Sequence, residues 1–252
     1  MAIVLKSERE IEIMRRGGEI VSEVLAAIKE RLRPGQTTKE IDEIAEATVT
    51  KLGATASFKG LYGFPASVCI SVNEEIVHGI PSADRVLKEG DIVSLDFGAF
   101  YHGLHADSAV TLPVGKVSEE ARRLLLCCET ALNRGIAQAK AGNRIGDISW
   151  AIQAYGESKG YGVVRQYVGH GVGRALHEEP QVPNFGVPGR GVILRPGMTL
   201  AIEPMLNVGT EKTELLADKW TVVTEDRKLS AHFEHTIAIT DDGPLVLTRF
   251  PT

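Results

Sequence analysis

Two ten-residue stretches of one pattern constrain the fold of this 252-residue chain more than any other feature. Residues 87–96 read LKEGDIVSLD and residues 194–203 read LRPGMTLAIE, 107 positions apart. Each opens on a leucine and a basic residue, turns at a glycine, and continues as an alternating apolar run that ends on a carboxylate. The same offset relates Gly35 to Gly142, Ile41 to Ile148 and Gly53 to Gly160. A duplicated half-domain is the simplest source of a constant offset. It predicts two pseudo-symmetric halves, about residues 8–113 and 118–248, fused as one domain over 1–252.

The repeat carries acids. Asp96 and Glu203 end the two runs, and Ala106-Asp107-Ser108 lies beside Phe233-Glu234-His235 once an insertion in the second half is allowed. All four acids fall in apolar, strand-like segments. Desolvating a carboxylate without a partner is too costly to be common, so four at repeat-related positions point to a shared bound cation.

Composition excludes other classes. Net charge is −5 and charged residues are 24%, so no specific nucleic-acid partner is expected. No apolar run reaches the 18 residues that suggest a membrane span, and the start MAIVLKSEREIEIMRR lacks a signal peptide's basic and apolar regions. Three cysteines form neither a disulfide framework nor a metal spacing. A reducing cytoplasm fits. The Arg15-Arg16, Lys29/Arg31/Arg33 and Arg122-Arg123 groups read as solvated helix faces.

Local signals predict two helices and then strands in each half. Ser7 with Glu10, and Thr37 with Glu40, make capping boxes. Apolar residues at helical spacing follow, ending at Pro34-Gly35 and at Gly53. Residues 67–72 read as a strand, and 91–100 with 104–112 as a hairpin around Tyr101-His102-Gly103. That turn sets Asp96 and Asp107 symmetrically, hence directly opposite each other. The second half restarts at Ser118 with a helix to about Lys140 and another over about 147–158. Strands near 163–168, 198–208, 221–224 and 232–239 follow, and 180–191, with three prolines and three glycines, reads as a loop.

Oxygen-rich ligation with one imidazole suits Mn²⁺, Fe²⁺, Co²⁺ or Zn²⁺, and a bridging carboxylate pair implies two ions, as in two-metal hydrolases. Among seven histidines, His170 in GHGVG is the best imidazole ligand, because flanking glycines allow close approach. His78 and His177 lie in turn-rich segments of a kind that either carries catalytic residues or merely exposes them. His102 sits at the hairpin tip. Alternation sends His235 to the face opposite Glu234 and puts His232 on the same face, bordering the site.

SVNEEIVHGIP, DFGAFYHGLHADSAVT, GHGVGRALHEEP, LAIEP and FEHT, in this order, resemble type I methionine aminopeptidases of the short bacterial form over about Ile11 to Phe250. The resemblance implies the α+β pita-bread (creatinase/aminopeptidase) fold, two αα-β halves around a dinuclear site, and removal of the initiator methionine from nascent polypeptides with a small second residue. It assigns Asp96, Asp107, His170, Glu203 and Glu234 as metal ligands, Asp107 and Glu234 bridging. His78 and His177 become substrate contacts, and Asn73, Glu75 and Ser230 a monovalent-cation (Na⁺ or K⁺) site. Glu203, a ligand carboxylate next to the activated water, is the candidate general base because it can take that water's proton. Cys69, Phe64, Leu61, Leu176 and Trp220 fall in the methionine pocket. Leu61, Phe64, Leu176 and His232 depart from the residues common in bacterial relatives, which puts the pocket's shape in question but not the chemistry. The partners implied are peptides with a free N-terminal methionine, taken by a monomer with transient ribosome association and no membrane contact. The competing readings are a proline-directed peptidase of the same fold, which usually carries a substantial N-terminal domain, and a binding protein that has lost its ligands.

Overall fold

The structure, a computed structural model, describes residues 3–249. Met1, Ala2 and residues 250–252, which include the ends of the predicted domain and Phe250 of the resemblance, lie outside the described residues.

Each half opens with an α-helical pair. Helices α1 (Glu8–Lys29) and α2 (Thr38–Lys51) start at the hydroxyls of Ser7 and Thr37, and Glu10 and Glu40 return to the capping residues' own N–H groups. Helix α1 stops at Lys29, short of Pro34: Glu30 N–H makes the last four-back bond, to Ala26 O, Arg31 N–H and Leu32 N–H bond only three back, to Ile28 O and Lys29 O, and Gly35 N–H is taken by Leu87 O at 2.8 Å. Strands β1 (Thr55–Ala56), β2 (Cys69–Val72), β3 (Glu75–Val77), β4 (Ile92–Tyr101) and β5 (Leu104–Pro113) complete the first half. Strand β2 begins later than predicted, since the N–H groups of Ser67 and Val68 are both held by Asp42 Oδ1.

The second half repeats the plan. Helices α3 (Glu119–Gln138) and α4 (Ile145–Ser158) have 20 and 14 residues against 22 and 14 in the first pair. Strands β6 (Gly162–Val163), β7 (Gly169–Gly171), β8 (Glu178–Val182), β9 (Thr199–Ile202), β10 (Met205–Asn207), β11 (Thr213–Leu215), β12 (Val222–Thr224), β13 (Ser230–His232), β14 (His235–Thr240) and β15 (Gly243–Val246) follow. Strands β2, β4 and β5 lie side by side in one sheet, and β7, β9 and β14 take the same neighbour order in another. Repeat-related glycines share their backbone: Gly35 and Gly142 have φ of 85° and 90°, Gly90 and Gly197 96° and 89°. These left-handed turns are open to glycine at no steric cost. A pita-bread fold of two like halves accounts for all of this.

One apolar core joins the halves. Ile20, Val24 and Leu25 of α1 and Leu124 and Leu132 of α3 pack with Val93, Leu95 and Phe97 of β4 and Leu200 and Ile202 of β9. Each such burial contributes about 1.5–3 kcal/mol. Hydrogen bonds stitch the seam between β5 and the 232–236 segment. Glu234 N–H donates to Ala109 O at 2.9 Å, Ser108 Oγ to Glu234 O at 2.6 Å, and Thr236 Oγ1 to Asp107 O at 2.8 Å.

Three expectations are corrected. The β4–β5 turn has two residues, His102 and Gly103, with φ of 48° and 86°, the doubly left-handed turn that suits strand twist. Tyr101 therefore pairs with Leu104, Asp96 faces Ala109, and Asp107 faces Gly98, so the two aspartates are diagonal neighbours rather than directly opposed. The predicted strands 198–208 and 232–239 are each broken, at Glu203-Pro204 and at Phe233-Glu234. Proline cannot donate to a ladder, and there the chain passes from the five-stranded sheet β15-β14-β9-β7-β8 to the three-stranded sheet β13-β10-β6. Part of the predicted 180–191 loop is strand, because Pro180 sits in β8 at a sheet edge, where a missing donor is tolerated.

Candidate metal centre and substrate cavity

The sheet interruptions and the seam deliver the acids to one place. Asp96 on β4 and Asp107 on β5 approach from the first half, Glu203 and Glu234 from the two strand breaks, and His170 from β7, and all five line a single cavity of about 490 Å³. Ligand-type atoms of Asp107, His170 and Glu234 lie within 4.8 Å of one another. His170 Nε2 is 4.0 Å from Asp107 Oδ2 and 3.6 Å from Glu203 Oε1. Its Nδ1 lies 2.9 Å from Gly171 O. A carbonyl only accepts, so Nδ1 carries the proton and Nε2 turns its lone pair toward the acids, an arrangement that orients an imidazole for a metal.

Electrostatics and hydrogen-bond satisfaction both fit a site built for a cation. Burial pushes the Asp107 carboxyl up to about 7. Burial first, then neighbouring acids, push Asp96, Glu203 and Glu234 well above the carboxylate range. Burial holds His170 down at about 3, so the ring is neutral and free to ligate. Asp96 Oδ1, Asp107 Oδ1 and Glu234 Oε1 are buried with no hydrogen-bond partner. Orphaned buried oxygens of this kind are costly, and hard or borderline divalent cations match both their charge and their chemistry.

The remaining cavity is an apolar pocket beside the acids. Cys69 pairs directly with Asp96 across β2 and β4. Around Cys69 pack Phe64 and Leu176, with Leu61 and Trp220 against them, so all five residues singled out for the methionine pocket share one cluster. The Phe64 and Trp220 rings meet edge to face at 5.1 Å. His78, with φ of 60°, lies between Tyr167 at 5.7 Å and Trp220 at 6.5 Å. Burial lowers it to about 4, leaving a neutral ring able to donate and accept. The His177 ring is 4.5 Å from that of His170. His232 Nε2 is 3.6 Å from Glu203 Oε2, at the border where alternation put it, and His235 turns away to Thr248 Oγ1 at 2.9 Å.

Sequence reading passed over several cavity residues. Phe58, Ala66 and Ile80 close the apolar cluster, and Tyr62, 80% exposed with φ of 50°, stands at the rim with its ring stacked 6.4 Å from His177. The glycines either side of Leu61-Tyr62 were a signal for Tyr62; nothing local marked Tyr167 or Phe58. The proposed monovalent-cation residues are brought together only in part. Ser230 N–H donates to Asn73 O at 2.9 Å and Ser230 Oγ is a buried, unpartnered oxygen. The Glu75 carboxylate instead accepts from Val72 N–H at 2.7 Å and pairs with Arg85 at 3.6 Å.

Comparison with known proteins agrees with this geometry. The model of metallopeptidase family M24 matches residues 12–241. A methionine aminopeptidase of Clostridium perfringens is 55% identical, over 98% of this chain and 98% of that one. The crystal structure of methionine aminopeptidase from Thermotoga maritima superposes with a TM-score of 0.97 at 46% identity, covering 98% of this chain and all of that one. A prolidase from Pyrococcus furiosus shares the fold alone, at 24% identity and a TM-score of 0.80, and this chain covers 66% of it. Five ligand-type side chains gathered from both halves, on a chain that matches these two methionine aminopeptidases over 98% of its length, place it in metallopeptidase family M24, among the methionine aminopeptidases.

Proposed function

We propose that this protein removes the N-terminal methionine from newly made polypeptides whose second residue is small. The observation that carries the reading is the juxtaposition of five metal-ligand side chains with an apolar pocket that opens beside them. Asp96, Asp107, His170, Glu203 and Glu234 would hold two divalent ions, Co²⁺, Mn²⁺, Fe²⁺ or Zn²⁺, with Asp107 and Glu234 shared between them. When bound, such ions bring the pKa of water toward about 7 and polarise carbonyl oxygens.

The chain's own groups do the rest. Glu203 takes the proton of the attacking water and passes it toward the leaving amine. His177, at the cavity mouth beside His170, donates to the scissile carbonyl oxygen as its charge grows. His78 holds the peptide backbone beyond the scissile bond. The methionine side chain enters the Cys69, Phe64, Leu61, Leu176 and Trp220 pocket, where a thioether gains about 0.3–1.5 kcal/mol per aromatic contact. The leucines and Phe64 supply apolar volume, so their departure from common family residues preserves the pocket's character. Residues 1–252 act as one catalytic domain, its repeat halves about 8–113 and 118–248, and Asn73 and Ser230 bind Na⁺ or K⁺, the Glu75 carboxylate being engaged with Val72 N–H and Arg85.

Among the described residues no helix is long and apolar enough to cross a membrane. The proposal extends to a monomeric cytoplasmic enzyme acting on nascent peptides, in transient contact with the ribosome and with no specific nucleic acid. The test is the metal-free protein reconstituted with each ion and assayed on four peptides and on Xaa-Pro peptides. Met-Ala-Ser is cleaved far faster than Met-Arg-Ser, Val-Ala-Ser or N-acetyl-Met-Ala-Ser. Comparable kcat/KM for Val-Ala-Ser would reduce the assignment to a general metalloaminopeptidase, and cleavage of Xaa-Pro peptides alone would point to the proline-directed branch.

A further inference from the structure

We infer that Lys6 and Glu178 form a clamp that positions Leu176 and His177, so that the segment ahead of α1 is part of the working site. The Lys6 side chain is 1% exposed, and lysine is almost never fully buried unless paired. Its ammonium donates to Glu178 Oε2 and to Val4 O at 3.2 Å. The other Glu178 oxygen, Oε1, accepts from Arg174 N–H at 2.7 Å and Ala175 N–H at 3.1 Å. One carboxylate thus closes the Arg174–Glu178 loop on itself and fastens it to the N-terminal segment.

Both ends of the clamp are anchored. Lys6 N–H donates to Gly197 O at 2.7 Å, on the turn that leads into β9. His105 N–H, on β5 two residues before Asp107, donates to Gly173 O at 2.7 Å. The last glycine of GHGVG acquires a reason, because a methyl group at Gly173 would overlap Lys6 Cε and Nζ. Arg174 extends the tie outward to Glu10 of α1, at 2.8 Å. The loop so held presents Leu176 to the pocket and His177 to the cavity mouth. A buried ion pair adds little stability over an apolar pair of the same size, whereas breaking one leaves a stranded charge. Its presence one residue from His177 fits placement of that ring.

The inference rests on His177 as the donor to the carbonyl oxygen, and the test separates the two. Lys6→Met and Glu178→Gln are made in the full chain and again in a His177→Ala background. All are assayed on Met-Ala-Ser with metal content and Tm recorded. Lys6→Met lowers kcat on the order of 10- to 100-fold, as misplacement of a catalytic group by about 1 Å does, with both metals retained. In the His177→Ala background the same change costs less than about twofold, because the positioned group is already gone. Glu178→Gln follows the same pattern and carries the test should Lys6→Met fail to fold. Either variant folded with kcat within about twofold of the parent overturns the clamp, as does an equal loss in both backgrounds. An unchanged kcat in His177→Ala alone would remove the donor assignment itself, and the clamp with it.

Discussion

Asp107 shows how one residue can serve frame and site together. Its backbone N–H donates to Thr236 Oγ1 at 2.9 Å, and its C=O accepts from the same hydroxyl at 2.8 Å, so main chain and seam are locked while the carboxylate is left over. That carboxylate belongs to a residue only 3% exposed, and one of its oxygens is unpartnered. Asp107→Asn keeps the shape and the seam but replaces a shared anion with an amide. Turnover is expected to vanish and metal content to fall below two ions per chain; a variant that keeps both ions and near-normal kcat would refute the bridging role. The residue types are legible in the sequence, since four acids and His170 stand out by chemistry against apolar surroundings. Their partners are not. Cys69 facing Asp96 and His232 beside Glu203 depend on strands remote in sequence.

At the scale of elements, the β4–β5 hairpin is the most exacting piece. His102 and Gly103 both take positive φ, and this two-residue turn fixes which residues of β4 and β5 face each other. A Cβ at Gly103 would meet nothing within 4 Å, so a substitution there probes backbone conformation alone. Gly103→Val is expected to cost about 1–2 kcal/mol for a left-handed L-residue, lowering Tm by about 2–8 °C, with kcat of the folded protein unchanged. A Tm equal to that of the parent would show that the turn relaxes into another form. Capping boxes and apolar spacing predicted α1 and α2, and Ser118 marked the start of α3, because those signals are local. The strand breaks at Glu203-Pro204 and Phe233-Glu234 were hidden, since each acid interrupts an apolar run that reads as continuous.

For the molecule as a whole, the centre opposes folding until a cation binds. Asp107 rises from an ordinary 3.8 to about 7 on burial, and Asp96, Glu203 and Glu234 shift the same way. An acid whose folded pKa is raised binds more protons in the folded state. Stability is then complete below the unfolded value and is lost as pH climbs toward the folded one. Buried His78 and His170, held at about 4 and about 3, act with the opposite sign and gain stability up to their ordinary 6.5. The acids' loss therefore stands alone only above that value. The metal-free protein should lose Tm as pH rises from about 6.5 through about 7, and added divalent ion should restore most of the loss by binding the folded state alone. Thermal melts with and without chelator across that range check this; a metal-free Tm that rises over the window would contradict it.

The sequence by itself determined the duplication, the four helices, the acids and the histidine that meet them, and the apolar character of the pocket. These are written in local spacing, residue chemistry and a repeat that a single chain can display. Only the tertiary structure decided the diagonal placement of Asp96 and Asp107, the passage between sheets at Glu203 and Glu234, and the meeting of Lys6 with Glu178. Register is set by a turn conformation that side chains do not spell out. A contact across 172 residues exists only because the packed core brings its two ends together.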